Sequence, residues 1–264
     1  VSRYIMQLLY HSACVRATNG KRRFAFRAYY AILKSMEPIN RYLDAAILKP
    51  ELTESDVKAA ITESIKWQTN TVCVRPCDIA LAKRMTSGTD TGVSCVLAFP
   101  HGVTTTAVKA FEAGEYIKLG TDEIDMVANY GKIRSGDWDY VEADIRAVAE
   151  VCNAKNVPLK VIFETCFLTP DEIRRTVEIC VRAKADFVKT STGFASGGAT
   201  VEAVRVMLDA AKGRIKVKPS GGIRDKKTAE IYISMGAQRL GTNYTASAAL
   251  VTGSDVPVEK KTGY

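Results

Sequence analysis

The stretch LKVIFETCFLTPDEIRRTVEICVRAKADFVKTSTG, residues 159–193, alternates between two hydrophobic patterns. Its two apolar runs, 159–164 and 186–191, are continuous and of the kind found in buried strands. Between them, residues 171–184 repeat apolar side chains at i, i+4, i+7 and i+8, which is one face of a helix. The start of that helix is marked by Thr169-Pro170-Asp171-Glu172, with threonine as N-cap, proline next and an acid at the third helical position. The stretch therefore predicts a strand–helix–strand unit.

The same alternation repeats from near residue 41 to the end of the chain. Eight strand–helix repeats of about 25 residues, without linkers between them, are typical of a closed parallel barrel. An open doubly wound sheet is the alternative, but the G-x-G-x-x-G turn expected after its first strand is absent. We predict a TIM (β/α)8 barrel with strands at 42–48, 71–75, 93–99, 123–129, 159–164, 186–191, 215–219 and 238–242.

The chain divides into three predicted regions: an N-terminal helical extension at 1–40, the barrel at 41–250 and a flexible C-terminal tail at 251–264. Residues 1–36 hold seven of the 37 basic residues and no Asp or Glu, which leaves 30 basic against 29 acidic residues elsewhere. The net charge of +8 is therefore concentrated in the extension, and we expect no nucleic-acid-binding face on the barrel. The extension is either a helix that packs on the barrel or an organelle transit sequence.

The composition narrows the functional classes. Hydrophobic residues make up 47% of the chain and charged residues 25%, and no run approaches the ~18 apolar residues of a membrane span. Seven cysteines without a C-x-x-C pair fit reduced thiols inside the cell, so we expect a cytoplasmic enzyme. With His11 and His101 as its two histidines, the chain is poorly suited to a histidine-rich metal site or a Ser-His-Asp triad.

Two lysines in apolar strands are the main chemical signal. Lys189 lies in the predicted strand 186–191 and Lys218 in 215–219, and each precedes a turn rich in hydroxyl groups and glycine. A lysine in such a strand is costly unless it is paired or used chemically. If the strands are adjacent, two ammonium groups ~6 Å apart at an effective dielectric of about 20 repel by roughly 3 kcal/mol, or about two pKa units. Such repulsion favours the neutral amine that attacks carbonyl groups.

Other polar residues fall near the carboxyl ends of the predicted strands, where barrel enzymes build their sites. Asp125 lies within the apolar strand 123–129. Backbone N–H groups of the turns after strands seven and eight of this fold commonly bind phosphate. Since i and i+2 share a strand face, Lys216 and Glu123 should lie one layer below Lys218 and Asp125, as a structural ion pair.

These motifs resemble those of the deoxyribose-phosphate aldolases. The resemblance runs over roughly 41–250 and rests on motifs in the same order: LDAAILKP (43–50), FPHG (99–102), EIDMV (123–127), VIFET (161–165), DFVKTSTGF (186–194) and VKPSGGIR (217–224). It implies a metal-free class I aldolase on a TIM barrel that reversibly cleaves 2-deoxyribose 5-phosphate to glyceraldehyde 3-phosphate and acetaldehyde. We accordingly expect no metal and no cofactor.

The resemblance also implies roles for individual residues. Lys189 matches the Schiff-base lysine, Lys218 the lysine that lowers its pKa, and Asp125 the acid–base carboxylate. Asp44 and Cys73 match positions that border the site, although Cys73 is equally explained as a small buried hydrophobic residue. We call the residues at the expected phosphate-binding positions the phosphate cradle: Thr192, Gly193, Gly221, Gly222, Arg224, Gly241 and Asn243.

Two departures from the family pattern bear on substrate choice. Ala45-Ala46 follow Asp44 where the family often has His-Thr, and Asn243-Tyr244 stand where it commonly has Ser-Ser. Some members end in a tyrosine that assists proton transfer, so Tyr264 is either a catalytic group or the end of an idle tail. The alternatives to a deoxyribose-phosphate aldolase are a Schiff-base lyase for another aldol, or an inactive barrel that binds a phosphometabolite or a protein. The sequence leaves the oligomeric state open, with a homodimer as one alternative.

Overall fold

The computed structural model describes residues 38–254. The predicted extension therefore lies outside the described residues except for its last three positions, and so does Tyr264. Eight β-strands are present in this range: β1 (Leu43–Ile47), β2 (Thr71–Val74), β3 (Gly92–Leu97), β4 (Glu123–Val127), β5 (Leu159–Ile162), β6 (Phe187–Lys189), β7 (Lys216–Lys218) and β8 (Leu240–Asn243). All eight predicted strands are confirmed, mostly with shorter bounds.

Helices follow the strands around the outside of the barrel. The α-helices of the described range are α1 (Glu54–Lys66), α2 (Ile79–Thr86), α3 (Thr106–Lys118), α4 (Tyr130–Arg134), α5 (Trp138–Asn153), α6 (Pro170–Arg182), α7 (Val201–Ala211), α8 (Lys226–Met235) and α9 (Ser247–Thr252). The predicted start of α6 is confirmed, because Thr169 accepts a hydrogen bond from the backbone N–H of Glu172 and the Glu172 carboxylate accepts from that of Thr169.

The strands are parallel: consecutive strands pair with each other from β1 to β7, and β1 also pairs with β8. The barrel closes between β7 and β8 through a single bridge that joins Ser220 to Gly241. The Gln238 side chain completes this seam by accepting a hydrogen bond from the Val217 N–H at 2.8 Å. Position 241 has to be glycine, since a Cβ there would overlap the Ser220 side chain.

The two faces of each strand serve different purposes. On β4, Ile124 and Met126 point outward into the hydrophobic core between barrel and helices, whereas Asp125 contacts polar side chains of other strands inside the barrel. This alternation places several fully buried polar residues in the barrel interior, and their pairing offsets the cost of burial. No helix in the range 38–254 is long and apolar enough to cross a membrane.

Candidate active site

Asp125 lies at the centre of the barrel and binds three lysines. Its Oδ2 accepts hydrogen bonds from Lys189 Nζ and Lys218 Nζ, both at 2.7 Å. Its Oδ1 accepts from Lys160 Nζ, also at 2.7 Å. These side chains meet because β4 to β7 are consecutive neighbours and alternate residues of each strand face the barrel interior. The predicted meeting of Lys189, Lys218 and Asp125 is thus present in the structure.

A second carboxylate, Asp44 on β1, supports Lys218. Asp44 Oδ2 lies 2.5 Å from Lys218 Nζ, and its Oδ1 accepts from Arg239 Nη1 and from Thr71 Oγ1, each at 2.8 Å. Arg239 also contacts Glu123 at 3.1 Å. We call this connected set the charge network: Asp44, Glu123, Asp125, Lys160, Lys189, Lys218 and Arg239.

The charge network contains one more cation than it has carboxylates. Four cationic side chains face three carboxylates, so full ionisation leaves a formal charge of +1 in a largely buried site. An uncompensated charge is costly there, and the least well compensated lysine is the one that most readily loses its proton. Lys189 is that residue, because Asp125 is the one carboxylate of the charge network that it contacts.

The pKa directions of the two predicted lysines are opposite. Burial lowers the pKa of Lys189, the cation of Lys218 lowers it further, and the attraction of Asp125 does not restore it. Burial also disfavours the charge on Lys218, but Asp125 and Asp44 together outweigh burial and raise its pKa. Repulsion between the two lysines therefore lowers the pKa of Lys189 as predicted, although burial is the larger cause. At Lys218 the two anions reverse the net shift of the pKa.

The predicted ion pair between Lys216 and Glu123 is wrong. Lys216 is exposed and its Nζ lies 5.0 Å from the centre of the Phe187 ring. Glu123 instead contacts Lys160 Nζ at 2.6 Å and Arg239. At the start of β7 its side chain is exposed to solvent, so sharing the strand face of Lys218 does not bring it to Glu123.

Lys160 and Arg239 were missed by sequence reasoning although both belong to the charge network. Lys160 carries the same signal as the two lysines that were found, since it lies in the apolar run LKVIF of 159–163. Arg239 lies one residue before β8 and offers no comparable pattern. Burial disfavours the charge on Lys160, but contact with Asp125 and Glu123 outweighs burial and raises its pKa, so it stays a cation in this site.

An open cavity of about 750 Å³ lies at the carboxyl ends of β6, β7, β8 and β1. All seven residues of the phosphate cradle line it. Gly193, Gly221 and Gly222 have φ values of 86°, 86° and 79°, a conformation that side-chain-bearing residues rarely adopt. The glycines therefore let the backbone approach a bound anion closely.

The departures from the family pattern also lie at this cavity, because Ala46 and Tyr244 line it. Asn243 Oδ1 is occupied by Thr245, accepting from its N–H at 3.1 Å and its Oγ1 at 3.0 Å. The Asn243 amide N–H groups have no hydrogen-bond partner in the described part of the chain, so they are available as donors at this cavity. Cys73 is buried on β2, and burial raises the pKa of its thiol, as expected of a small hydrophobic residue beside the site.

A sequence profile of the DeoC/LacD family of aldolases matches residues 40–242. The chain belongs to this family. The deoxyribose-phosphate aldolase of Mannheimia succiniciproducens is 46% identical over 217 residues, which cover 82% of this chain and 95% of that protein. The one from Treponema denticola is 40% identical over 81% of this chain and 99% of that protein.

Solved structures of aldolases share the fold. An aldolase called QR15 is 41% identical, with a TM-score of 0.75 over 80% of this chain and 94% of that one. The deoxyribose phosphate aldolase of Aeropyrum pernix, described as a unique tetramer, is 25% identical, with a TM-score of 0.75 over 81% and 90% of the two chains. The TIM barrel is confirmed, and with family membership the protein is an aldehyde-lyase.

Proposed function

We propose that this aldolase reversibly cleaves 2-deoxy-D-ribose 5-phosphate to D-glyceraldehyde 3-phosphate and acetaldehyde through a Schiff base on Lys189. The observation that carries the proposal is a buried lysine with a lowered pKa on β6, the strand that leads into a glycine-rich turn lining an open cavity. A neutral amine attacks carbonyl groups, and glycine-rich turns at this end of a barrel bind phosphate. A sugar phosphate with an open-chain aldehyde offers both groups.

In this mechanism the Lys189 nitrogen attacks C1 of the open-chain sugar, and loss of water from the carbinolamine gives the imine. Removal of the C3 hydroxyl proton then breaks the C2–C3 bond, so that glyceraldehyde 3-phosphate leaves and the bonding electrons form an enamine. Protonation of that enamine at C2 and hydrolysis of the imine release acetaldehyde and the free lysine. Asp125 serves as acid–base carboxylate through a water, a role typically worth ~10²–10⁴-fold.

Lys218 is proposed to remain an ammonium during turnover, and Lys160 keeps Asp125 ionised. Contact with these lysines outweighs burial and holds the pKa of Asp125 well below its usual range. A carboxylate that stays ionised can accept hydrogen bonds from the water and the carbinolamine hydroxyl without first losing a proton. The phosphate cradle binds the 5-phosphate, with Arg224 as its cation and Asn243 as a further donor.

The direct test is reduction by borohydride in the presence of acetaldehyde, followed by mass mapping of the modified lysine. We expect one modified lysine, Lys189, together with cleavage of 2-deoxyribose 5-phosphate that persists in EDTA. Cleavage without any trapped imine would reject the Schiff-base route. Trapping with acetaldehyde but no turnover of this sugar phosphate would favour another aldol substrate.

Three proposals go with this function. Tyr264 assists proton transfer at the enamine carbon. Deleting it should slow exchange of the acetaldehyde C–H protons more than it weakens substrate binding, and an unchanged exchange rate would refute this role.

The protein acts in the cytoplasm, which localisation of a tagged full-length chain checks. It forms a homodimer, which its mass in solution by light scattering decides.

A further inference from the structure

Glu164 is a buried carboxylate that the proposed mechanism does not use. It follows β5, is 1% exposed, and has no cation within 4 Å among residues 38–254. Its backbone adopts φ 57° and ψ 62°, a left-handed conformation that is unfavourable for a residue with a side chain. An unpaired buried carboxylate on a strained backbone is costly in two ways, and such positions cluster at functional sites.

The partners of Glu164 belong to the turn after β6. Both carboxylate oxygens lie 3.3 Å from the Thr192 backbone N, and Oε2 accepts a further hydrogen bond from Thr192 Oγ1. Thr192 Oγ1 in turn accepts from the Phe194 N–H at 3.0 Å. One carboxylate therefore fixes the turn 192–194, whose central residue, Gly193, lines the cavity.

The Glu164 backbone is itself held firmly. The Thr165 N–H donates to the Thr190 carbonyl at 3.0 Å, and the Phe167 N–H donates to the Glu164 carbonyl at 3.1 Å. The carboxylate is thus anchored to β5 and to the residue that follows Lys189. Burial raises the pKa of Glu164, whereas the hydrogen bonds from Thr192 and the charge of Lys189 act in the opposite direction.

We propose that Glu164 is a positioning residue: it holds the turn 192–194 in place as one side of the phosphate cradle, and through it sets the preference for phosphorylated over non-phosphorylated aldols. Glu164 acts through Thr192 and Gly193 and does not itself touch the substrate. The inference rests on the proposed function, since it assigns the phosphate of the substrate to this turn.

The test compares 2-deoxyribose 5-phosphate with 2-deoxyribose in the full-length enzyme. Glu164→Met keeps the length of the side chain and removes the acceptors, so kcat/KM for the phosphorylated sugar should fall at least tenfold, mainly through KM. For the sugar without phosphate we expect a change below twofold. Glu164→Gln retains one acceptor oxygen and should recover part of the loss, while Glu115→Gln on the exposed face of α3 is the matched control and should match the wild type.

A variant that fails to fold is replaced by Glu164→Gly, because glycine suits a φ of 57°. This variant should keep the melting temperature within a few degrees yet show the same substrate split. A double-mutant cycle with Thr192→Val supplies a second readout. If Glu164 acts through Thr192, kcat/KM of the double variant for the phosphorylated sugar is no lower than that of the less active single variant. An equal loss of kcat on both sugars, or additive effects in the cycle, would overturn the inference.

Binding of inorganic phosphate, measured by calorimetry, separates this inference from the proposed function. The wild type should bind phosphate at least tenfold more tightly than Glu164→Met. If the wild type cleaves neither sugar but shows this difference, the proposed function fails and the role of Glu164 stands. If both proteins bind phosphate equally well, or neither binds it, the inference is wrong whatever the enzyme cleaves.

Discussion

Lys189 and Lys218 occupy paired positions on neighbouring strands, both are buried, and both donate to the same oxygen of Asp125 at 2.7 Å. They differ in their second partner: Lys218 also contacts Asp44, whereas Lys189 has no second carboxylate within 4 Å among residues 38–254. Their pKa values move in opposite directions accordingly. The number of anions around each amine, and not its burial, separates a proposed nucleophile from a proposed fixed cation.

The largest expected effect comes from removing the amine of Lys189, which contacts a single carboxylate of the charge network. Lys189→Ala should lower cleavage by at least about 10⁴-fold and abolish imine trapping, because no other lysine in the charge network has a lowered pKa. Turnover assays and mass mapping after borohydride check this. Lys216→Ala, a lysine on the exposed end of β7, is the control; trapping at Lys218 in the wild type would reverse the two roles.

Asp125→Asn removes the anion that the two lysines share. We expect a loss of about 10²–10⁴-fold in kcat, because the acid–base carboxylate is gone. Stability should also fall by about 3–5 kcal/mol, since buried cations lose their partner. Kinetics and thermal unfolding measure the two effects, with Asp171→Asn on the surface of α6 as control. Wild-type kcat in a folded Asp125→Asn variant would exclude Asp125 from proton transfer.

Lys218→Leu removes the cation beside Lys189. The pKa of Lys189 should then rise, because Asp125 attracts its proton without competition. Since the neutral amine exists only above that pKa, activity near pH 7 should drop roughly 10–100-fold and partly return as the pH is raised. The pH dependence of kcat/KM tests this against Lys216→Leu. A profile reduced in height but unchanged in shape would contradict the tuning role.

Asp44→Asn removes the second carboxylate that distinguishes Lys218 from Lys189, and it should have the smallest effect. With one anion left, Lys218 resembles Lys189, so its pKa should fall. We expect a loss of a few-fold in kcat/KM and a minor imine adduct on Lys218 that the wild type lacks. Quantitative mass mapping over a range of pH detects it. An adduct confined to Lys189 at every pH would mean that geometry and not charge selects the nucleophile.

Much of the site followed from local pattern. A lysine in an apolar run ending in a glycine-rich turn identified positions 189 and 218, and the same reasoning applied to 159–163 would have found Lys160. Arg239 could not be found in this way, because its role depends on two carboxylates from β1 and β4 that lie far from it in sequence. The mistaken partner for Glu123 has the same origin, since strand alternation gives the face of a residue but not which side chain reaches across the barrel.

By itself the sequence determined the eight-stranded barrel, because hydrophobic periodicity and helix capping are local properties of the chain, and it also determined which strands carry lysines. Tertiary structure decided which of those lysines has a lowered pKa and which has a raised one. Opposite pKa directions at Lys189 and Lys218 arise from carboxylates contributed by separate strands, and the electrostatic interaction depends on distances that only closure of the barrel sets. The same holds for Glu164. No sequence pattern singles it out, and its strained backbone and contact with Thr192 exist only once β5 and β6 are side by side.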